Sequence, residues 1–175
     1  MHPDETQRPA HSVNPPAAVP LVDAPLAVAT SDVLGALGQL PNGLFVMTGQ
    51  YEGKRTGVIV RLVCQVACDP PLVCVSLRKG HWISPLVRDS HYFGLSRVAA
   101  ADRLVAKKFH EANRPKDGDP FDCMQVERLV SGTPLLAKSN LVVDCEVTRH
   151  LDLEADYEMF IGKVLGVRAS GEGAG

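Results

Sequence analysis

Residues 44–63 read LFVMTGQYEGKRTGVIVRLV, and this stretch decides the fold of the chain. It holds two runs of strand-forming residues, 44–48 and 56–63, with the turn signal Glu52-Gly53 between them. The sequence therefore predicts a β-hairpin. Its second strand is predicted to continue until Asp69-Pro70-Pro71 breaks it, because proline cannot donate a ladder hydrogen bond.

Further strands and short helices are predicted on both sides of this hairpin. A helix is expected after a cap at Ser31-Asp32, with Leu34, Leu37 and Leu40 at helical spacing, ending at Pro41. The remaining predicted elements are strands over 72–77, 91–96, 140–149 and 157–167, a helix over 83–89, and an amphipathic helix over 99–110 with Leu104, Val105 and Phe109 inward. Hairpins with inserted helices favour an antiparallel barrel over a parallel, doubly wound sheet.

Length and composition restrict the class of protein. The chain has 175 residues, 45% of them hydrophobic and 22% charged, with a net charge of -2, which excludes a coiled coil, a collagen and a disordered protein. The near-neutral balance argues against a nucleic-acid partner. No apolar run approaches a membrane span, and no secretory signal is recognised at the N-terminus. Five cysteines without regular spacing indicate free thiols, so a cytoplasmic location is expected.

One folded domain is expected, flanked by two tails. Residues 1–30 are rich in proline and alanine and are predicted to be disordered. The domain is placed at residues 31–168, and residues 169–175 are expected to form a flexible C-terminal tail.

Charge is concentrated in the middle of the chain. Between Lys54 and Lys108 there are ten basic and three acidic residues, whereas both flanks are acidic. A basic segment between acidic flanks suits a small anionic ligand such as a phosphate ester. Solvated basic surface is an equally good interpretation of the charge pattern alone.

Several motifs, in order, resemble the flavin reductase-like family of FMN-binding split barrels. They are Leu40-Pro41-Asn42-Gly43, Gly57-Val58-Ile59-Val60, Val66-Ala67-Cys68-Asp69-Pro70-Pro71-Leu72-Val73, Arg78-Lys79-Gly80, Asp89-Ser90-His91-Tyr92-Phe93 and Phe160-Ile161-Gly162-Lys163-Val164-Leu165. The resemblance spans roughly residues 33–168. It implies a mainly β, antiparallel Greek-key split barrel of about six strands with peripheral helices. It also implies a homodimer with FMN at the interface, NADH or NADPH as transient co-substrate, and a small-molecule electron acceptor or a partner oxidoreductase.

The resemblance places Arg61 and Leu62 where relatives carry small hydroxyl residues that meet the flavin. An arginine there could replace two neutral hydrogen bonds by a charge-assisted one on the ribityl or phosphate side. The alternative is a surface arginine on an edge strand. Asn42, in the first motif, is included among the cofactor-binding residues. A dimer is also expected because a single small barrel would leave residues 44–47 poorly covered.

The next residues, Val63, Cys64 and Gln65, match the family segment that runs past the isoalloxazine ring. Backbone amides there could donate to the flavin, and Gln65 could add a side-chain hydrogen bond. The spacing of Cys64 and Cys68 matches no common zinc or thioredoxin-like motif, so both are predicted to be buried small hydrophobes and no metal is expected.

The loop Lys79-Gly80-His81-Trp82 matches the segment that closes over the flavin phosphate in the family. His81 and Ile83 stand where relatives carry serine and threonine. Lys79 supplies charge and Gly80 permits close approach of the backbone. Trp82 is the single tryptophan, and stacking on the flavin or nicotinamide and ordinary packing are both open.

Tyr157 is the candidate catalytic residue. Many relatives carry an Asp-His pair just before the last core strand, and this chain has Asp156-Tyr157. Tyrosine is a poorer proton donor than histidine at neutral pH. The expected function is therefore an NAD(P)H-dependent flavin reductase, and the alternative is an FMN-binding electron-transfer or sensing protein without NAD(P)H turnover.

Overall fold

A computed structural model of the chain describes residues 30–113 and 118–170. The predicted N-terminal tail lies outside these residues except for Thr30, and the predicted C-terminal tail lies outside them except for residues 169 and 170. Helix α1, Thr30–Leu37, belongs to a separate unit that ends at Leu40, and its Leu34 and Leu37 side chains are exposed.

The second unit begins at Pro41 and is built on a seven-stranded antiparallel sheet. Its strands are β1 Phe45–Tyr51, β2 Lys54–Val60, β3 Val63–Cys68, β4 Pro71–Arg78, β5 Tyr92–Arg97, β8 Leu141–Asp152 and β9 Tyr157–Ala169. A two-stranded pair and two helices are added to it: β6 Val126–Glu127, β7 Leu135–Leu136, α2 Ile83–Ser90 and α3 Arg103–Lys108. The mainly β, antiparallel class with helices is thus confirmed, with more strands than the six expected.

The strand order in the sheet is β2-β1-β5-β8-β9-β4-β3, so β2 and β3 are its two edges. This corrects the prediction of one long second strand from residue 56 to Asp69. The chain leaves β2 at Val60 and pairs again only as β3, antiparallel to β4, on the opposite edge. Arg61 and Leu62 form the connection between these two edge strands, so they lie at a corner and not within a strand.

The core has two parts, because β1 is buried on both faces. Met47 packs in one cluster with residues such as Phe93 and Phe160, while its neighbour Val46 packs in the other with residues such as Phe109. Both residues are fully buried within the chain, so the expectation that residues 44–47 need a partner subunit for cover is wrong.

One prediction about which side chains face the core is also wrong. Helix α3 spans six residues, capped by Asp102, and Leu104 is 82% exposed although Val105 and Phe109 are buried. In β9 the buried residues are Glu158, Phe160 and Gly162. They lie on one face because a strand directs alternate side chains to the same side, and this places a glutamate among the buried residues.

Candidate functional site

A cavity of about 320 Å³ opens where the β2–β3 corner, β4 and the start of β9 meet. Five residues singled out from the sequence line this one cavity: Asn42, Arg61, Leu62, His81 and Tyr157. They come from four separate segments of the chain. The pairing of β4 with β9 sets Arg78 opposite Tyr157, which adds a second arginine to the lining.

Arg61 is exposed at the cavity, because the corner between the edge strands projects it away from the sheet. Within the described part of the chain it forms no salt bridge. Leu62 beside it is also exposed, while its carbonyl accepts a hydrogen bond of 3.0 Å from the Ser76 amide. The corner therefore presents an unpaired positive charge at the cavity on a backbone fixed by β4.

His81 is the buried polar residue of this cavity, with 7% of its surface exposed. Burial lowers the pKa of its imidazole to about 4, although Glu111 and Glu158 act in the opposite direction, so the ring is neutral at physiological pH. Its Nδ1 accepts a hydrogen bond of 3.3 Å from the Ile83 amide, which places the proton on Nε2. Nε2 has no partner among the described residues. The wall of the cavity thus contains a buried N–H donor without an acceptor.

A second hollow, of about 710 Å³, shares His81 with the cavity. Its lining includes Lys79, Gly80 and Trp82, so of the loop predicted from the sequence only His81 also reaches the smaller cavity. Lys79 is ion-paired with Asp152 at the end of β8, and the hydrogen bond from Lys79 is the main reason that the pKa of Asp152 is lowered. The Lys79 amide also donates to the Asp156 carbonyl at 2.9 Å. The β8–β9 turn therefore holds the loop of residues 79–82 in place through these two contacts to Lys79.

The sequence model of a protein family, the flavin reductase like domain, matches residues 37–175 of this chain. The chain belongs to the flavin reductase-like family. The resemblance described from the sequence is thereby confirmed over most of the chain.

Proteins similar to this chain are named for different nicotinamide nucleotides and different flavins. Over 135 residues the chain is 27% identical to an NADPH-flavin oxidoreductase of Streptomyces viridifaciens, covering 77% of this chain and 70% of that protein. It is 28% identical over 127 residues to an FMN reductase (NADH) of Methylorubrum extorquens, covering 72% of this chain and 73% of that protein. The NADH:FAD oxidoreductase of Streptomyces globisporus superposes with a TM-score of 0.72 at 24% identity, covering 83% of this chain and 87% of that chain.

Within this flavin reductase-like chain, the hollow contains a buried acidic group that the sequence analysis missed. Glu158 is 6% exposed, and its Oε2 lies 2.6 Å from His150 Nε2. The His150 ring stacks on Phe160 with 4.6 Å between the ring centroids. The other carboxylate oxygen, Oε1, is buried without a partner among the described residues. The parity of Phe160 and Gly162 was the sequence signal that could have placed Glu158 inward.

Trp82 does not line the smaller cavity. Its ring lies against that of His81, with 3.8 Å between the centroids and a tilt of 35°. The indole Nε1 is buried and lacks a partner in the described part of the chain. Packing against His81 is what the structure shows for this tryptophan, and stacking on a ligand stays a prediction.

The segment Val63, Cys64 and Gln65 lies along β3, outside the lining of the cavity and the hollow. Cys64 and Cys68 are exposed, so the prediction that both are buried is wrong. The physical reason is that β3 is an edge strand with one uncovered face. The Gln65 side chain forms a hydrogen bond within its own strand, since its Nε2 donates to the Ala67 carbonyl at 3.2 Å.

Two further cavity residues come from the end of α3. The Ile59 amide donates to the Phe109 carbonyl at 2.7 Å, which fixes the following His110 and Glu111 beside the cavity. Sequence spacing gave no indication of this, because about fifty residues separate β2 from Phe109.

Among the residues described, no group of three or more His, Cys, Asp or Glu side chains could hold a metal ion, and no helix is long and apolar enough to cross a membrane.

Proposed function

We propose that the chain is an NAD(P)H:flavin oxidoreductase that binds FMN in the cavity between the β2–β3 corner, β4 and β9. The observation that carries the proposal is the convergence of Asn42, Arg61, Leu62, His81 and Tyr157 on one cavity. The family model over residues 37–175 and the activities named for its relatives support the same reaction class.

The polar groups of the cavity fit a flavin. The unpartnered Nε2–H of His81 is a donor that needs an acceptor, and flavin carbonyl or phosphate oxygens supply acceptors. Arg61 and Arg78 provide positive charge for the ribityl or phosphate side. Bound flavin would accept the nicotinamide hydride at N5 and release the electron pair to an acceptor. The residues of the chain bind and orient, and none of them acts as a nucleophile.

Lys79 is proposed to act on the phosphate through the adjoining hollow. In the structure its ammonium group is neutralised by Asp152, so an incoming phosphate must compete with this carboxylate. Asp152 is largely exposed and the pair is therefore weak. His81 links the two spaces, because it lines both.

The split barrel and the homodimer are parts of the same proposal. Both sheet edges, β2 and β3, have one side unpaired within the described residues. On β3 and its corner, Leu62 and Val66 are exposed apolar side chains. An edge with unpaired backbone groups and apolar side chains is suited to association with a second copy.

The test is absorbance of the purified protein, followed by anaerobic mixing with NADH or NADPH. Flavin absorbance that bleaches on mixing supports the reductase, and comparison of FMN with FAD at equal concentration decides the flavin. A colourless protein that binds neither flavin at micromolar concentration would refute the proposal.

A second function, electron transfer or sensing without NAD(P)H turnover, is favoured by one observation. Tyr157 lines the cavity where many relatives are expected to carry histidine, and the buried His81 is neutral, so neither of these two residues is a strong proton donor. Bound flavin that dithionite reduces but neither nicotinamide nucleotide reduces would select this second function.

A further inference from the structure

Strands β3 and β4 bring two cysteines opposite each other at the β3 edge of the sheet. Cys64 on β3 is the cross-strand partner of Cys74 on β4. The Ser76 amide donates to the Leu62 carbonyl at 3.0 Å, and hydrogen-bonded pairs recur at every second residue of an antiparallel ladder. Cys64 and Cys74 are therefore also a hydrogen-bonded pair, with Cα atoms about 5.5 Å apart. This separation lies inside the range of about 4.4–6.8 Å that disulfides span.

The two thiols differ in access to solvent. Cys64 is exposed, whereas Cys74 is buried. Burial, and to a smaller extent the neighbouring Cys64 thiol, raises the pKa of Cys74 to about 11. The two thiols are cross-strand neighbours, and a reagent in solution reaches Cys64 first.

The strand that carries Cys64 has room to move. Strand β3 is a sheet edge, and its register with β4 shifts between Gln65 and Ala67. Cβ atoms in a hydrogen-bonded cross-strand pair lie about 5.5 Å apart and those in a disulfide about 3.5–4.5 Å apart, so an approach of about 1–2 Å is needed. Within the described part of a single chain, β3 has no strand on its other side that this shift would disturb.

We propose that Cys64 and Cys74 form a peroxide-responsive thiol pair that closes to a disulfide. The other cysteines lack this arrangement. Cys68 stands opposite Pro71 in the ladder, Cys145 is buried opposite Phe93, and Cys123 is exposed outside the strands.

The chemistry takes two steps and balances with hydrogen peroxide as the oxidant. The Cys64 thiolate attacks one peroxide oxygen, the O–O bond breaks, and the product is a sulfenic acid with one water after protonation. The Cys74 sulfur then attacks the Cys64 sulfur, the S–O bond breaks, and the thiol proton leaves with the hydroxide as a second water. Two thiols lose two electrons, and one peroxide becomes two waters.

The source of the peroxide is the one point at which this inference rests on the proposed function. Reduced flavin that reacts with dioxygen gives oxidised flavin and hydrogen peroxide, so turnover in air would supply the oxidant. The thiol pair itself does not depend on flavin, which allows the two ideas to fail separately.

The experiment uses the full chain carrying Cys68→Ser and Cys123→Ser, which leaves Cys64, Cys74 and Cys145. After hydrogen peroxide treatment without flavin, denaturation and alkylation, we expect two of the three thiols to be lost. Before alkylation the mass should be about 2 Da lower, dithiothreitol should reverse the change, and a linked peptide pair should contain Cys64 and Cys74.

The matched variants separate this pair from ordinary thiol oxidation. Adding Cys74→Ser should leave Cys64 to gain oxygen, about 16 or 32 Da, whereas adding Cys145→Ser should leave the disulfide intact. Oxygen gained at Cys64 while Cys74 stays free, no reaction at all, or a disulfide between two chains would each overturn the proposal. In a separate arm, NADH and FMN in air replace added peroxide, and catalase should prevent the disulfide; failure in this arm alone would point to the proposed function instead.

Discussion

Arg61 is the residue whose assignment changes most between sequence and structure. Its match to the family placed it on a strand, and it lies instead at an exposed corner that lines the cavity. An exposed guanidinium that forms no salt bridge within the described residues fits both a contact to an anionic ligand and a surface arginine. Its role as a flavin contact stays a prediction.

Replacing Arg61 by Gln removes the charge and keeps much of the side-chain length. A charge-assisted contact contributes about 1.5–3 kcal/mol, so FMN affinity should fall about ten- to a hundredfold and lose part of its salt dependence. Flavin fluorescence quenching measures both. Arg103→Gln, an exposed arginine on α3, is the control and should change neither. Unchanged affinity and salt dependence in Arg61→Gln would make this arginine ordinary surface.

His81 makes the stability of the fold depend on pH. Its pKa is about 4 in the folded chain against 6.5 in the unfolded chain, so the unfolded state takes up the proton first as pH falls. The contribution of His81 to the free energy of unfolding is therefore complete above pH 6.5. Between pH 6.5 and pH 4 it falls by about 1.4 kcal/mol for each pH unit.

The check on His81 is chemical denaturation at several pH values between 4 and 7. His81→Asn should show a shallower loss of unfolding free energy than the parent chain over this range. His91→Asn is the control, because His91 is exposed and its left-handed backbone, with φ at 63°, suits asparagine. Equal slopes for His81→Asn and the parent would contradict a lowered pKa at His81.

At the scale of the element, the β8–β9 turn connects the hollow to the cavity. It supplies Asp152 to Lys79, the Asp156 carbonyl to the Lys79 amide, and Tyr157 to the cavity. The two strands were predicted from the sequence. These contacts between the turn and Lys79 were not, because they depend on the direction of side chains at the end of a hairpin. Local periodicity of the sequence predicts a strand or a helix, whereas tertiary structure determines which group a charged side chain contacts.

Replacing Asp152 by Asn should release Lys79 for the flavin phosphate. An exposed ion pair is weak, so the affinity for FMN relative to riboflavin, which lacks the phosphate, should rise only modestly, by up to about fivefold. Asp156→Asn is the matched control, since Lys79 bonds only to its backbone carbonyl in this structure. If the FMN-to-riboflavin ratio stays at its parent value, Lys79 does not serve the phosphate.

Gly162 on β9 allows the Phe93 ring of β5 and Cys145 of β8 to pack closely against the β9 backbone. A Cβ atom there would lie 2.5 Å from Phe93 Cζ and 2.8 Å from the Cβ of Cys145. Gly162→Ala should therefore destabilise the fold by about 1–3 kcal/mol, measured by urea denaturation. Gly166→Ala, on the same strand with its nearest atoms at 3.5 Å, should be nearly neutral. A loss as large in Gly166→Ala would show that strand propensity, and not crowding, is the cause.

At the scale of the whole molecule, the sequence predicted the class, the hairpins and the family, because strand patterning and ordered motifs are local information. It failed at the β2–β3 crossing, and it did not place Glu158 inside. Arg61 and Leu62 look like strand residues by propensity, but the chain must pass there from one edge of the sheet to the other. Glu158 looks like a surface residue by type, but Phe160 and Gly162 on the same face hold it inside. Both errors concern long-range pairing, which decides burial and is not encoded in a short window.

The final prediction is a homodimer that uses the β3 edge. The original reason for it, an uncovered β1 region, no longer holds, and the reason is now the exposed Val66 side chain and unpaired backbone of β3. Sedimentation velocity at tens of micromolar should show a dimer, and Val66→Lys should shift it toward monomer and weaken FMN binding in parallel, because a buried charge in an apolar contact is costly. Leu104→Lys, at an apolar residue 82% exposed on α3, should leave both unchanged. A parent chain that sediments as a monomer with FMN bound would show that one subunit completes the flavin site alone.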